Sequence, residues 1–419
     1  MDEVAMMQII RRSWWIGVVV VLAVGCADER EPSGDAPDHG EADQADVSQD
    51  DEMDQGRLDN VPTELSDLDV QPDMPDLDVQ GDMQDLDVQG DTFDIQDTSD
   101  IRDTSTEPDT NGSGEESPYA PAGAFFYQDV SGAPVAADSA TIIAALRQAG
   151  GWGNGDRFQI DFSLEVLVAD ASTPKRQFEQ TDDFYSPDCD AVRVPVPSGG
   201  NLEGEDGYEC SQDGDCHLIV HAPHERRLYE MWRADIRGDT FRGGCLAVWD
   251  TSRVYPEVGR GDQCTSADAA GFPIAPLLFT ADEVAAGEIK HAIRFILPNN
   301  RIRARTYVRP ATHGTNTTGS ADAPPYGVHF RLRADYPLET LPNEGARVVA
   351  RALQRYGMYH ADGGQIALTA QSDRRTQAKW EGLLGPRDLA ALRVEDFEVI
   401  HHSAPIPVTY DCRRQPLSE

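Results

Sequence analysis

The 419-residue sequence predicts a β-rich α+β fold, a sandwich or partly closed, jelly-roll-like barrel with a few short helices, after a disordered N-terminal tether. Three observations lead to this prediction. In residues 157–169 every second residue from Phe158 to Val168 is apolar without a break, several shorter alternating runs follow, and few stretches have helical spacing. Strands with scattered short helices are typical of this class.

The N-terminus begins with a short apolar run, residues 14–25, which follows Arg11 and Arg12. At about 1.5 Å per residue it is too short to cross a hydrocarbon core of about 30 Å, so we predict that residues 1–25 are a signal peptide. The two arginines fit the ordinary secretory route and, more loosely, the twin-arginine route. We favour the ordinary route.

The end of this run, Leu22-Ala23-Val24-Gly25-Cys26, resembles the lipobox of bacterial lipoproteins. The resemblance implies that Cys26 is acylated and becomes the first residue of the mature chain, so that lipid anchors the protein in the cell envelope. Ala27, rather than Asp, after the cysteine implies the outer membrane. The alternative is ordinary cleavage beside an unmodified cysteine.

The following segment is strongly acidic. Residues 27–118 contain 31 Asp and Glu against three Arg, a net charge of −28 out of −39 for the whole chain. A nine-residue repeat starts with Asp-Leu-Asp-Val-Gln at Asp67, Asp76 and Asp85. Because apolar residues are sparse and like charges repel, we predict that residues 26–118 are an extended, disordered tether. Specific calcium sites are the alternative, but the glycine spacing of known calcium loops is absent.

Residues 119–419 are predicted to form one extracytoplasmic domain, because about 300 residues can bury a large core and no long linker divides them. Apolar alternation predicts strands over residues 157–169, 218–220, 227–232, 246–249, 292–297, 305–308 and 328–333. Helical spacing followed by glycine predicts helices over residues 139–149 and 343–356.

Residues 263–295 carry little charge and are rich in Ala, Gly and Pro. Within them, Thr280-Ala281-Asp282-Glu283 matches a capping box and Gly287 a C-terminal stop, which predicts a helix over residues 281–286. We expect residues 265–278 to be an irregular loop laid against the sheet, with His291 beginning the next strand.

The predicted domain contains six cysteines. An even number in an exported chain indicates disulfides, although spacing alone does not choose the pairing. The nearest neighbours, Cys210 and Cys216, are the most plausible single bridge. No Cys-x-x-Cys pair indicates zinc or redox chemistry, and we predict neither a metal nor a cofactor. The predicted disulfide residues are Cys189, Cys210, Cys216, Cys245, Cys264 and Cys412.

Several segments occur in order between residues 230 and 400. They are TSADAAGFPI (265–274), DEVAAGEI (282–289), HAIRF (291–295) and residues 307–313, 324–327, 356–358, 361–364 and 396–398. Together they resemble an uncharacterised domain that recurs in secreted proteins of actinobacteria and other bacteria. The resemblance implies no known activity, and the sequence departs from it at Arg309, where an aromatic residue is expected.

Candidate functional residues lie in or beside these segments. Glycoside hydrolysis uses two carboxylates, for which the candidates are Glu230, Asp250, Asp268 and Asp362, with Trp232, Trp249 and Tyr307 available to stack on sugars. His291 and His313 are candidate proton-transfer groups, and Arg309 is placed to form an anion-binding or proton-transferring cluster with His313. The alternative is structural: carboxylates at the surface or in turns, as for Asp362, and hydrogen-bonded histidines.

Several functional classes are disfavoured. The acidic charge argues against nucleic acid as a partner, and phosphate-binding glycine loops and common hydrolase motifs are absent from the sequence. Two hypotheses for the function remain. In both, the protein is bound to the membrane through its lipid anchor. We favour a binding domain for a glycan or envelope polymer, and the alternative is a polysaccharide-directed hydrolase or lyase. A cleft in which two candidate carboxylates converge with His291 or His313 would favour the enzyme, whereas a filled barrel with these side chains spread over its surface would favour the binding domain.

Overall fold

The structure is a computed structural model that describes residues 118–212 and 214–418. The predicted signal peptide, Cys26 and the predicted tether up to residue 117 lie outside the described residues. Within the described part of the chain, no helix combines the length and the apolar character that crossing a membrane requires.

The described residues form a β-rich fold with few short helices, which confirms the predicted fold class, and their sheets do not close into a barrel. The helices are α1 (Ser139–Gln148), α2 (Gly153–Asp156), α3 (Ala281–Ala286) and α4 (Glu344–Arg355). The strands are β1 (Ile160–Leu164), β2 (Val166–Val168), β3 (Lys175–Arg176), β4 (Glu179–Gln180), β5 (Val194–Pro195), β6 (Leu218–Ala222), β7 (Arg227–Met231), β8 (Asp235–Arg237), β9 (Thr240–Gly243), β10 (Leu246–Asp250), β11 (Ile293–Leu297), β12 (Thr306–Tyr307), β13 (His329–Leu332), β14 (Met358–Gly363), β15 (Leu368–Gln371), β16 (Phe397–Val399) and β17 (Ile406–Pro407).

Two sheets dominate the fold. A six-stranded sheet has the order β1-β15-β11-β14-β13-β16, and a four-stranded sheet has the order β10-β7-β6-β2. The six-stranded sheet is mixed, because β1 runs parallel to β15 and β11 parallel to β14, whereas β13 is antiparallel to both of its neighbours. Helix α1 contacts β16 and α4 contacts β13, so both helices belong with this larger sheet.

The single strand predicted over residues 157–169 is two strands in the structure. Strand β1 joins the six-stranded sheet and β2 joins the four-stranded sheet, so the chain passes from one sheet to the other at Glu165. The Glu165 side chain is fully buried and pairs with Arg375 at 2.8 Å. Unbroken apolar alternation cannot distinguish one long strand from two, because both keep the same period.

The low-charge loop of residues 265–278 lies between the two large sheets. Its apolar side chains divide into two sets: Ala270, Phe272 and Leu277 join the core of the six-stranded sheet, and Ala267, Ile274, Ala275 and Leu278 pack with the four-stranded sheet. The loop needs its apolar composition because it has a sheet on either side. Helix α3 follows at the predicted residues, with both bonds of the capping box formed and Gly287 ending it at φ 86°.

All six cysteines form disulfides, as predicted. Cys210 pairs with Cys216, Cys189 with Cys245, and Cys264 with Cys412. The last of these connects the low-charge loop to the C-terminal segment. This bridge closes a sequence separation of 148 residues.

Candidate functional site

A buried arginine brings two of the predicted carboxylates together. Arg294 lies in β11, and only 5% of its side chain is exposed. Its Nε and Nη2 donate to Asp268 Oδ1 at 3.0 and 2.7 Å, and Nη2 also donates to Asp362 Oδ2 at 3.0 Å. Asp268 comes from the low-charge loop and Asp362 from β14, so the guanidinium connects the loop to the six-stranded sheet.

The two carboxyl groups differ in their access to solvent. The Asp268 side chain has no exposed surface, whereas 26% of the Asp362 side chain is exposed. Burial raises the pKa of Asp268 well above its usual range. Although burial opposes the charge on Arg294, the carboxyl groups of Asp268 and Asp362 raise the pKa of the guanidinium. Solvent can therefore reach Asp362, whereas Asp268 is connected to Asp362 only through Arg294.

Ala269 connects Asp362 to His313. The Ala269 N–H donates to Asp362 Oδ2 at 3.4 Å, and the Ala269 carbonyl lies 2.9 Å from His313 Nδ1. A carbonyl oxygen only accepts, so Nδ1 carries the proton, and in the neutral imidazole Nε2 is left with a lone pair. Burial lowers the pKa of His313, which favours this neutral form. His313 Nε2 is thus a proton acceptor, and Ala269 links this imidazole to the partly exposed carboxylate of Asp362.

An exposed aromatic ring borders His313. Tyr410 is 46% exposed, and its ring centroid lies 5.4 Å from that of His313 in an edge-to-face arrangement. The guanidinium carbon of Arg305 lies 5.5 Å from the centre of the same ring. The Cys264–Cys412 disulfide fastens the segment that carries Tyr410 to the loop that carries Asp268 and Ala269. We call Asp362, His313 and Tyr410, with Ala269 between them, the candidate site.

A charged pair holds the loop just before Asp268. His217 Nδ1 lies 2.6 Å from Glu203 Oε2, and His217 Nε2 lies 3.0 Å from the Ala267 carbonyl. Although burial opposes protonation, Glu203 raises the pKa of His217 to about 9. Burial likewise opposes charge on Glu203, yet His217 lowers the pKa of that carboxyl to about 2. The imidazolium therefore donates from both nitrogens. Because His217 directly precedes β6, it anchors the loop to that strand.

Glu230, another predicted carboxylate, lies inside the core and away from solvent. It is fully buried in β7, where its oxygens accept hydrogen bonds from the backbone of Ile274 and Ala275 and from Trp249 Nε1, at 2.8 to 3.0 Å. Burial raises its pKa to about 7. This carboxyl group orders the second half of the low-charge loop.

The structure places Asp250 and His291 outside the candidate site. Asp250 ends β10 and accepts from the N–H and hydroxyl of Ser252 at 3.0 and 2.6 Å, a turn interaction. His291 is buried two residues before β11, with Nε2 3.2 Å from Glu283 of α3 and Nδ1 2.8 Å from the Ala292 carbonyl. The first residue shapes a turn and the second attaches α3 to the sheet.

The predicted ligand-binding residues are also dispersed. The Trp249 and Tyr307 rings are buried, and Trp232, which is half-buried, donates to Asp215 at 2.9 Å. Arg309 donates to Asp262 Oδ1 at 2.6 Å, with 17% of its side chain exposed. It does not share a strand with His313, because β12 ends at Tyr307 and a turn follows.

Two groups of acids and cysteines lie close enough together to suggest a metal ion. They are Asp188 with Cys264 and Cys412, and Glu205 with Cys210 and Cys216. In each group both cysteines are joined in a disulfide. Since the thiolate is the form that binds metals, neither group suits an ion.

Sequence reasoning missed Arg294 and Tyr410. A signal for Arg294 was present: a lone charge inside the apolar strand Ile293–Leu297, where arginine is rarely buried unless it is paired. Tyr410 carried no comparable signal, because a disulfide rather than its neighbours in sequence brings it to His313. Asp362 was expected in a turn but lies near the end of β14, a strand that the sequence did not predict.

The candidate site therefore combines a proton acceptor, a carboxylate and an aromatic surface. Such groups can take a proton from water or from a bound molecule and can hold a sugar ring in place. Comparisons with protein-family models, with curated proteins and with solved structures found no match for this chain.

Proposed function

We propose that this protein is a lipid-anchored enzyme of the cell envelope, a polysaccharide-directed hydrolase or lyase in which His313 Nε2 accepts the proton. The observation that carries the proposal is the double use of Ala269, whose N–H binds Asp362 and whose carbonyl binds His313. A single residue thus sets the separation of the two groups. What supports an enzyme over a binding domain is one accessible carboxylate, Asp362, linked to His313, while Asp268 is joined to Asp362 only through Arg294.

The burial of Asp268 restricts the mechanism. A glycosidase that uses two carboxylates needs both of them beside the scissile bond, and Asp268 has no exposed surface. We therefore assign proton transfer to His313 and electrostatic orientation of the substrate to Asp362. Asp268 and Arg294 are positioning residues that hold Asp362.

The proposal is tested with the full-length protein incubated with an array of bacterial and plant polysaccharides, while polymer retention and product release are scored together. We expect release by the wild type and a loss of at least about 100-fold in His313→Ala, the usual contribution of general base catalysis. Asp362→Asn should also lose activity. Asp250→Asn, which alters a predicted carboxylate outside the site, is the control and should keep full activity.

Retention without release would replace the enzyme by the binding domain that the sequence favoured. If His313→Ala and Asp362→Asn are as active as the control Asp250→Asn, neither His313 nor Asp362 takes part in the reaction. If the wild type neither binds any polymer nor releases product from one, the polysaccharide assignment is overturned.

The lipid anchor at Cys26 and the outer-membrane location are part of the same proposal and rest on the lipobox-like residues alone. Cys26 lies outside the described residues. Cells that express the protein are fed an alkyne-labelled fatty acid, and we expect label in the wild type and none in Cys26→Ala. Label in both proteins would assign the acylation to another residue.

A further inference from the structure

We propose that Arg305 and Tyr410 form a subsite for the carboxylate of an acidic sugar. The aromatic ring of Tyr410 lies between this subsite and His313. The substrate class would then be a uronate-containing polysaccharide. This inference rests on the proposed function, because His313 marks the end of the subsite where the substrate reacts. Tyr410 contacts both partners, with His313 at 5.4 Å and Arg305 at 5.5 Å.

The local charge singles out Arg305. Two neighbouring arginines are neutralised, Arg309 by Asp262 at 2.6 Å and Arg413 by Asp411 at 2.6 Å. No carboxylate of residues 118–212 or 214–418 pairs with Arg305, which is exposed. Arg305 therefore supplies the unbalanced positive charge beside the candidate site.

The chemistry of the pair suits an acidic sugar. A guanidinium that lies over an aromatic ring keeps its N–H groups available, and their fork matches the two oxygens of a carboxylate. The Tyr410 ring, almost half exposed, offers apolar surface to the C–H groups of a sugar. A neutral sugar would leave Arg305 without a negatively charged partner, so the pair is selective for a uronate.

The backbone provides an independent observation. Both residues adopt left-handed conformations, Arg305 at φ 45° and Tyr410 at φ 60°. Residues other than glycine are strained there by about 1–2 kcal/mol, and such strain clusters at active sites, ligand clamps and switch regions. The two positions are held near each other because β12 pairs with β17 and the Val408 N–H donates to the Arg305 carbonyl at 2.9 Å. Glycine would suit both positions better for stability alone.

The test uses two probes that differ only at the carboxyl groups: an oligomer of galacturonate, which is charged, and the same oligomer as its methyl ester, which is neutral. Binding to the full-length protein is measured by calorimetry at about 0.15 M salt, where charges more than about 8 Å away are screened. This condition limits the long-range effect of the protein's net charge of −39. We expect the wild type to bind the acid form at least about tenfold more tightly, as a charge-assisted hydrogen-bonded pair would give.

Three variants locate the subsite. Arg305→Ala should lose the preference for the acid form, and Tyr410→Gly should weaken the binding of both forms. Arg413→Ala, an exposed arginine three residues from Tyr410 whose charge is already paired, is the matched control and should bind like the wild type. The unfolding midpoint of each variant is measured beside its binding, so that weaker binding by a variant that is still folded is assigned to the subsite.

The outcomes separate this inference from the proposed function. Activity on neutral polymers with no preference between the two probes would overturn the acidic subsite and leave the enzyme intact. Selective binding of the acid form without product release would keep the subsite and overturn the enzyme. If Arg305→Ala keeps the wild-type preference, Arg305 does not form the subsite.

Discussion

At the residue scale, Glu230 illustrates a buried acid whose role is structural. Its two oxygens accept from three donors, two of them backbone N–H groups of the low-charge loop. Removing an acceptor from buried donors costs more than a hydrogen bond contributes on average, because each donor has already lost its water. The raised pKa of Glu230 therefore reflects its burial in a structural role.

We predict that Glu230→Gln lowers the free energy of unfolding by about 1–3 kcal/mol, because the new amide N–H groups face existing donors. Burial raises the pKa of Glu230 from its ordinary 4.5 to about 7 in the folded protein. A raised acid pKa contributes stability below pH 4.5 that is lost as the pH rises through 7. The difference between wild type and variant should therefore shrink over this range in urea denaturation, and a difference that grows would contradict the prediction.

His313 predicts the pH dependence of activity. Burial lowers its pKa below the ordinary 6.5, so the proton-accepting form persists into mildly acidic solution. We expect kcat/KM to fall with decreasing pH only below about 6.5, the ordinary value for histidine, because protonation of Nε2 removes the base. The measurement is a pH profile on the polymer that the array identifies. An acid limb centred above pH 6.5 would point to another group.

At the element scale, the low-charge loop is held by groups that converge from several elements. His217, Glu230 and Arg294 bind it from three different strands or strand ends, and a disulfide fixes its start. Helix α3, by contrast, is capped by its own residues Thr280, Glu283 and Gly287. This difference explains why the sequence predicted the bounds of α3 but not the conformation of the loop.

Two glycines test this difference. Gly287 has φ 86° with open space around it, so Gly287→Ala should cost only the left-handed strain, about 1–2 kcal/mol. Gly271 has φ 78°, and a Cβ there would lie 2.1 Å from Thr312 Oγ1 and 2.8 Å from the Cys264 carbonyl. We expect Gly271→Ala to cost more stability and to reduce activity by displacing His313, the residue after Thr312. Equal stability of the two variants in denaturant titrations would contradict this.

At the scale of the whole molecule, the two large sheets pack against the same loop. The Cys264–Cys412 disulfide, which spans the largest sequence separation of the three, connects that loop to the C-terminal segment. The four-stranded sheet is buried on both faces, by the loop on one and by residues such as Phe178 and Phe241 on the other. Displacing the loop would therefore loosen both cores and separate Asp268 from Arg294.

The disulfides should differ in their contribution to stability. In the chain-entropy model the Cys264–Cys412 bridge, with a separation of 148 residues, contributes about 5 kcal/mol, and the Cys210–Cys216 bridge, with a separation of six, about 2 kcal/mol. We predict that Cys264→Ala/Cys412→Ala lowers the free energy of unfolding more than Cys210→Ala/Cys216→Ala does, as measured by urea denaturation. Only the first variant should also lose activity, because it releases Tyr410. The reverse order would show that the longer bridge does not constrain the site.

The sequence by itself determined the fold class, helix α3 with both of its caps and the participation of all six cysteines in disulfides. These features depend on periodicity, local capping and parity, which neighbouring residues or simple counts express. Only the tertiary structure decided that residues 157–169 serve two sheets, that Arg294 and Ala269 link Asp268, Asp362 and His313, and that Glu230 and His291 are structural. The reason is that these contacts join residues between 26 and 148 positions apart, through Arg294, Ala269 and the Cys264–Cys412 bridge, and no local pattern encodes which distant partner a side chain meets.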